Sequence, residues 1–311
     1  LTLVRWTIPP GYEPTHRVRA SASGGNGCVV AEQNLIMTDE VFARSPLSQW
    51  EGIPVFSTPD RFTENYERIS ADHLASLSEH GTNPWIPERL WREMEATTID
   101  LIRKYSKPGH AILDVGVGLG RMLRNFPELR RHGMDISRGY LKASQAAGID
   151  VCYSRIEDMP YKSGTFDVIV CTDVLEHVLD LHLCCERMLS VLKDTGVLIV
   201  RVPVYEDLSR YLDPEFPYEY VHVRNFDASS IRLLFERIFE CKCLELTPGG
   251  YWPLGDRMKI KLPLARAGSI AFRAFSYIPV VRTAFYKPIV KAVYHPIDMN
   301  VVVQKRRTWS R

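Results

Sequence analysis

The chain carries almost no net charge, with 39 Lys and Arg against 37 Asp and Glu, or +2 overall. So even a balance excludes a global basic field of the kind that gathers nucleic acid, and it leaves only local clusters to consider. No C-x-x-C is present. Of the seven cysteines, Cys184 and Cys185 adjoin, while Cys241 and Cys243 would share one face of a strand. This argues against a zinc site and against a disulfide framework, and makes a reducing cytoplasm the expected setting. No run of about 18 apolar residues exists to span a bilayer. Leu1 opens the chain without methionine or a signal-peptide pattern, which reads as a trimmed start, and secretion is not expected. What is there is ordinary for a folded protein with a large core, at 45% hydrophobic and 24% charged residues.

Residues 1–60 read as a small irregular segment with a few strands, with a flexible-looking SASGGNG at 21–27 and β-like pieces GCVV and GIPVF. From Asp60 to Tyr105 the apolar spacing turns to three and four, predicting helices in NYERISADHLASL and PERLWREMEATTIDLIRKY. Pro108-Gly109 stops the second. Strands and helices then alternate. AILDV (111–115) leads to a helix around 119–125, HGMDI (132–136) to SRGYLKASQAAG, and DVCYS (150–154) to a loop. FDVIVC (166–171) leads to the helix VLEHVLDLHLCCERMLSVL, and GVLIVRVP (196–203) follows. SSIRLLFERI reads as a helix, FECKCLEL as a strand and DMNVVVQK as the last strand, giving seven strands with a long insertion before the final one. That rhythm implies right-handed crossovers and a mostly parallel sheet covered on both faces.

Ligands in such sheets bind beyond the carboxyl ends of the strands, which is where the loop after AILDV falls. Its glycines, Gly116, Gly118 and Gly120, follow G-x-G-x-G. A dinucleotide fingerprint wants G-x-G-x-x-G, and position 121 is Arg. Asp135, ending the second strand, can accept two hydrogen bonds from ribose hydroxyls, and Ile136 can pack on adenine.

Taken with IEDMPYKSGTFDVIVCTDVLEHV at 156–178, AILDVGVGLG and GMDIS closely resemble the class I S-adenosylmethionine-dependent methyltransferases, over roughly Tyr66 to Leu246. The resemblance implies an α/β fold, a Rossmann-like seven-stranded mostly parallel sheet with an antiparallel last strand and helices on both faces. It implies S-adenosylmethionine as cofactor. Asp114, Gly116, Gly118 and Gly120 would surround the methionine end, and Asp135 would bind the ribose, with Ile136 and Ile156 flanking adenine. Thr172 and Asp173 would lie near the sulfonium, and Tyr66 would close over the cofactor. Arg155 stands where many relatives place an acid that accepts from the adenine amino group. Glu157 or Asp158 is left to substitute. The piece EGIPVF at 51–56 resembles the end of a small zinc-ribbon-like domain that precedes some methyltransferases, with only Cys28 left upstream to hold a metal. Residues 61–311 are then the methyltransferase domain, with an insertion at about 250–297.

Methyl transfer needs an acceptor held at near-attack distance, and an oxygen acceptor also needs a base. His177 in DVLEHV and His222 in PYEYVHVRNF are the candidates. For His177 the competing reading is a helix-start residue that holds its loop. Around His222, Phe216, Tyr218, Tyr220 and Phe226 suit a flat or sugar-like substrate or a packed lid. Arg224 could meet a substrate carboxylate or be a plain surface arginine. Asp173, Glu176, His177 and His222 also resemble the metal-binding set of some quinone and RNA 2′-hydroxyl methyltransferases, which leaves a metal-assisted route open beside a metal-free one. No N-P-P-[YF] or D-P-P-Y follows the fourth strand, and no cysteine pair suggests attack on pyrimidine C5, so nucleic acid is a poor substrate expectation.

Between Arg257 and Ile297 stand eight Lys or Arg and no Asp or Glu, interleaved with apolar groups. Such a stretch can lie on the inner face of an anionic membrane or cap the substrate site. The expected function is methyl transfer to a small molecule, most readily a hydroxyl of a sugar or lipid-linked metabolite. The alternatives are a nucleotide-dependent oxidoreductase and a cofactor-binding protein without catalysis. Oligomeric state is not legible.

Overall fold

A computed structural model describes residues 41–252, 259 and 287–306. The SASGGNG stretch, Cys28 and most of 257–297 therefore lie outside the described residues.

Two short strands, β1 (Ser48–Trp50) and β2 (Ile53–Val55), come first, joined through Glu51 and Gly52, both at positive φ (47° and 78°). Two such residues make the tight turn that matches strand twist. Helix α1 (Arg61–His80) starts at a capping box in which Asp60 accepts from Thr63 N at 2.9 Å, and it ends at Gly81 in the left-handed conformation. Helix α2 (Glu88–Tyr105) buries Leu90, Met94, Thr98, Leu101 and Ile102, a three-and-four spacing that lays one face on the sheet.

Then follow β3 (Ala111–Val115), β4 (Arg130–Asp135), α3 (Arg138–Ala146), β5 (Asp150–Tyr153), β6 (Phe166–Thr172), α4 (Leu181–Val191) and β7 (Leu192–Pro203). A short helix α5 (Ala228–Arg232) runs into a π-turn (Leu233–Ile238), and β8 (Lys242–Pro248), α6 (Lys287–Val293) and β9 (Asp298–Gln304) complete the order. All form one nine-stranded sheet, β1-β2-β5-β4-β3-β6-β7-β9-β8. From β2 to β7 neighbours are parallel, and β9 inserts antiparallel between β7 and β8. The expected seven strands are all present in a mostly parallel sheet. The count rises to nine because the β1–β2 hairpin pairs with the edge of β5.

Both faces are covered. Along β3, Ile112 joins a cluster with Leu101, Ile102 and Leu141, while Leu113 and Val115 join Cys184, Cys185, Met188 and Leu189 of α4. The period of two sends successive residues to opposite layers, so strands buried on both faces read as unbroken apolar runs.

Two expected helices are shorter than the sequence suggests. Around 119–125 only a 3-10 turn at Leu123–Asn125 forms. Gly116, Gly118 and Gly120 all take positive φ, and Pro127 follows closely, leaving room for one turn. The helix expected over 174–192 starts at Leu181, where the Asp180 side chain accepts from Leu183 N at 2.9 Å. Asp173 sits at φ 55°, so the chain leaves β6 in a left-handed turn that no helix can continue.

Candidate active site

The strand order reverses between β3 and β6, and the crevice beyond their carboxyl ends is the switch point where such sheets bind ligands. On its floor lies the loop Gly116–Gly120. Gly116 N and Val117 N both donate to Met134 O, at 2.9 and 3.0 Å. A Cβ on Gly116 would lie 2.4 Å from Val174 Cγ2, so this glycine lets the loop press on the turn after β6. A Cβ on Gly118 would meet no atom nearer than 4.0 Å. That position therefore opens onto free space, whereas Gly120 faces Ser144 and Ile149.

Asp114 is buried, and its Oδ1 has no hydrogen-bond partner. Burial, and then the charge of Asp135, push its carboxyl up to about 8. Asp135 Oδ2 accepts from Gly118 N at 2.9 Å, and its Oδ1 from Ile136 N and Ser137 N at 2.8 and 2.9 Å. Burial pushes Asp135 up to about 6 against the pull of these donors. Ile136 is half-buried beside it and Ile156 is buried. An unpaired buried carboxylate oxygen, an open glycine face and an oriented carboxylate fit a nucleoside ligand with a cationic tail.

Arg155 pairs with the Asp60 cap and with Glu157 (3.1 Å), tying the loop after β5 to the start of α1. Glu157 is thus engaged by Arg155, and Asp158 Oδ2 accepts from Ser57 Oγ at 2.7 Å.

At the end of β6, Thr172 and Asp173 line the other side. Asp173 is held by Arg201, a buried arginine of β7 that also donates to Thr98 Oγ1 at 3.3 Å and lies 3.8 Å from Asp298. Arg201 is the main residue that sequence reading missed. Its signal was a lone cation inside the apolar run GVLIVRVP.

The structure brings His177 and His222 together, with ring centroids 4.5 Å apart. His177 does not begin a helix; it lies in the turn before α4. Its Nδ1 is 2.8 Å from the Tyr66 hydroxyl. Burial, and then His222, hold its pKa well below the imidazole range. His222 Nδ1 pairs with Glu206, a second unforeseen residue, which also accepts from Tyr211 at 2.9 Å. Glu176 is fully buried with neither carboxylate oxygen hydrogen-bonded, Oε1 lying 3.8 Å from His177 Nε2, and burial followed by the Asp173 charge pushes it far above the usual range. Ligand atoms of Glu176, His177 and His222 lie within 4.8 Å of one another. Asp173 is not in this set, because its carboxylate faces Arg201.

Arg224 is not a free surface arginine. It donates to the carbonyls of Leu175 (2.7 Å), Val178 and Leu179 (3.3 Å) and so fixes the turn that carries Glu176 and His177. Of the aromatic group, Phe226 is core, while Tyr218 donates to Asp72 at 2.7 Å and Tyr220 packs on Phe62.

Residues 113–200 match the family described as Methyltransferase domain. A ubiquinone biosynthesis O-methyltransferase of Xylella fastidiosa is 29% identical over 154 residues, which is 46% of this chain and 63% of that protein. An uncharacterized protein of Methanocaldococcus jannaschii is 27% identical over 139 residues, 43% of this chain and 61% of its own. The matched part of the chain thus spans less than two thirds of the length of these curated relatives. Among solved structures, the Haloferax volcanii protein found in complex with the Trm112 methyltransferase activator shares the fold. It aligns at a TM-score of 0.52 and 16% identity over 81% of this chain and all of that one.

Sheet order, glycine loop and these matches define a class I methyltransferase domain. Residues 113–200 carry the methyltransferase-domain match, and the sheet around them has the fold of that class. Among the described residues no helix is long and apolar enough to cross a membrane.

Proposed function

We propose that this protein transfers a methyl group to a hydroxyl of a small molecule, a sugar or a lipid-linked metabolite. The observation that carries this reading is the His177–His222 pair at the mouth of the switch-point crevice, with Tyr66 of α1 reaching His177. Similarity to relatives named as O-methyltransferases supports a hydroxyl acceptor.

S-adenosylmethionine supplies an activated methyl group when bound. Asp135 would hold the ribose and Ile136 and Ile156 the adenine, while Gly118 and Asp114 would face the methionine tail. Thr172 and Asp173 would form the wall nearest the reacting carbon. Tyr66 would cover the site and exclude water. Glu206 holds Nδ1 of His222, leaving Nε2 to take the acceptor proton as the new O–C bond forms. Burial keeps His177 neutral beside it. The test is release of S-adenosylhomocysteine over a panel of hydroxylated acceptors. Turnover with amine acceptors alone would overturn the hydroxyl assignment.

Glu176 favours a second reading. A fully buried carboxylate with two bare oxygens beside two imidazoles fits a divalent cation held by Glu176, His177 and His222. Such an ion would sharpen acceptor binding and activation. Equilibrium dialysis against Mg²⁺ and Mn²⁺, with and without Glu176→Gln, separates the readings, since the metal-free route predicts no retained ion. The basic stretch 257–297 supports docking at an anionic membrane surface, which co-sedimentation with anionic vesicles tests.

A further inference from the structure

Asn65 has no part in any site reading, yet it is a polar side chain only 4% exposed. Three of the four hydrogen-bonding positions of its amide are used. Oδ1 accepts from Glu219 N and Tyr220 N at 2.9 and 3.2 Å, and Nδ2 donates to Tyr220 O at 2.8 Å. The reversed amide would set an NH₂ against two N–H groups, so the network fixes the orientation. A single side chain therefore grips two consecutive residues through three backbone groups, more than 150 residues away in sequence.

The gripped residues belong to the strap 213–225, which forms no helix or strand of its own. Other groups of α1 hold the same strap. Arg68 donates to Pro217 O at 2.8 Å, Arg61 pairs with Glu219 at 2.8 Å, and Asp72 accepts from Tyr218. Two residues beyond Tyr220 the strap carries His222.

The same helix also touches the cofactor side. Tyr66, next to Asn65, reaches His177. Glu67 accepts from Arg138 N at 2.9 Å, and Ser70 meets Ser137 at 2.6 Å, both at the loop that follows Asp135. One helix thus contacts the ribose-binding loop and the strap that bears the candidate base.

We propose that Asn65 is a positioning residue that makes α1 and the strap 217–222 one closing element, so that cofactor seated under α1 fixes the position of His222. The cofactor then binds first and the acceptor site is completed second. This rests on the reading that S-adenosylmethionine sits beneath Tyr66.

The test is hydrogen exchange of the full chain, free and saturated with S-adenosylmethionine, for wild type, Asn65→Ala and Asn65→Asp. Calorimetric titration of the same samples reports binding. In the wild type, cofactor should slow exchange across 217–222 by about tenfold, since one or two hydrogen bonds of about 1 kcal/mol each suffice. In Asn65→Ala the cofactor should bind within about threefold of wild type and still protect α1, with strap protection lost. Asn65→Asp, which keeps the two accepted bonds and loses the donated one, should show intermediate protection, and it serves if the alanine variant does not fold. A general loss of stability would raise exchange in both states and leave the cofactor-dependent difference intact. That difference persisting in Asn65→Ala overturns the proposal, as does cofactor binding to the wild type without strap protection. No binding by the wild type removes the cofactor reading itself, and the coupling with it.

Discussion

Arg201 sets its guanidinium against both carboxylate oxygens of Asp173, the residue at which the chain leaves β6 in a left-handed conformation with φ 55°. The backbone repeats the link, with Asp173 N donating to Arg201 O at 2.9 Å. Behind the pair lies Asp298, fully buried. Replacing Arg201 by Met leaves Asp298 without its cation and frees Asp173. Breaking a buried pair on one side costs about 3 kcal/mol. Urea unfolding should show that loss, with Arg201→Lys falling between. An unchanged midpoint for Arg201→Met would contradict this role for the arginine.

The glycine loop makes two opposite predictions. Gly116→Ala puts a methyl within 2.4 Å of Val174 and should destabilise the fold by more than 1 kcal/mol, with cofactor binding lost as the loop shifts. Gly118→Ala meets no protein atom nearer than 4.0 Å, so it should cost only about 1 kcal/mol of left-handed strain. Its methyl enters the space assigned to the cofactor, and affinity should fall at least about tenfold. Thermal melts paired with calorimetry read both, and equal loss of affinity and stability in Gly118→Ala would remove that position from the site.

Cofactor affinity should depend on pH through Asp135. Its folded value of about 6 lies above the ordinary 3.8, so the protonated form dominates below pH 6 and cannot serve both ribose hydroxyls. Affinity should therefore fall as pH drops through 6, by up to about tenfold per unit, and Asp135→Asn should flatten the profile at a low plateau. The measurement is the dissociation constant from pH 5 to 8.

Asp114 makes a stability prediction of definite sign. Its carboxyl is raised to about 8 in the fold, so its contribution is full below about 4 and is lost as pH rises through 8. Asp114→Asn should raise the stability of the cofactor-free protein near pH 8 by about 1–3 kcal/mol, because the amide removes the cost of ionising a buried carboxyl. It should also weaken cofactor binding. A variant less stable than wild type at that pH would contradict the burial argument.

The strand ends that frame the crevice were legible because they are local. AILDV, GMDIS and FDVIVC are buried parallel strands, and the residues just past each strand end occupy the crevice by topology alone. The long-range pairs around them were not. Asn65 and Tyr220, Arg201 and Asp173, and Glu206 and His222 are pairs made by tertiary packing, and periodicity carries no trace of them. Local conformation also hid two boundaries. The left-handed Asp173 delays α4 to Leu181, and three glycines at positive φ leave one turn where a helix was expected. Arg224, read as a substrate contact or a surface group, caps carbonyls that only the folded turn exposes.

The histidines predict a separable effect on turnover. His222→Ala should lower methyl transfer by about a hundredfold or more while leaving cofactor affinity within about twofold, as expected for a group acting only on the acceptor proton. Glu206→Gln should lower it less. Single-turnover rates with a hydroxylated acceptor provide the check, and parallel losses of binding would place His222 in the cofactor site instead.

Calorimetric titration of the protein with S-adenosylmethionine and, separately, with NAD bears most directly on the crevice. Saturable one-to-one binding of S-adenosylmethionine, weakened at least about tenfold by Asp135→Ala and by Gly118→Ala, with no heat from NAD, is the expected result. Binding of NAD, or S-adenosylmethionine affinity unchanged by both substitutions, would contradict the assignment of this crevice as a methyl-donor site.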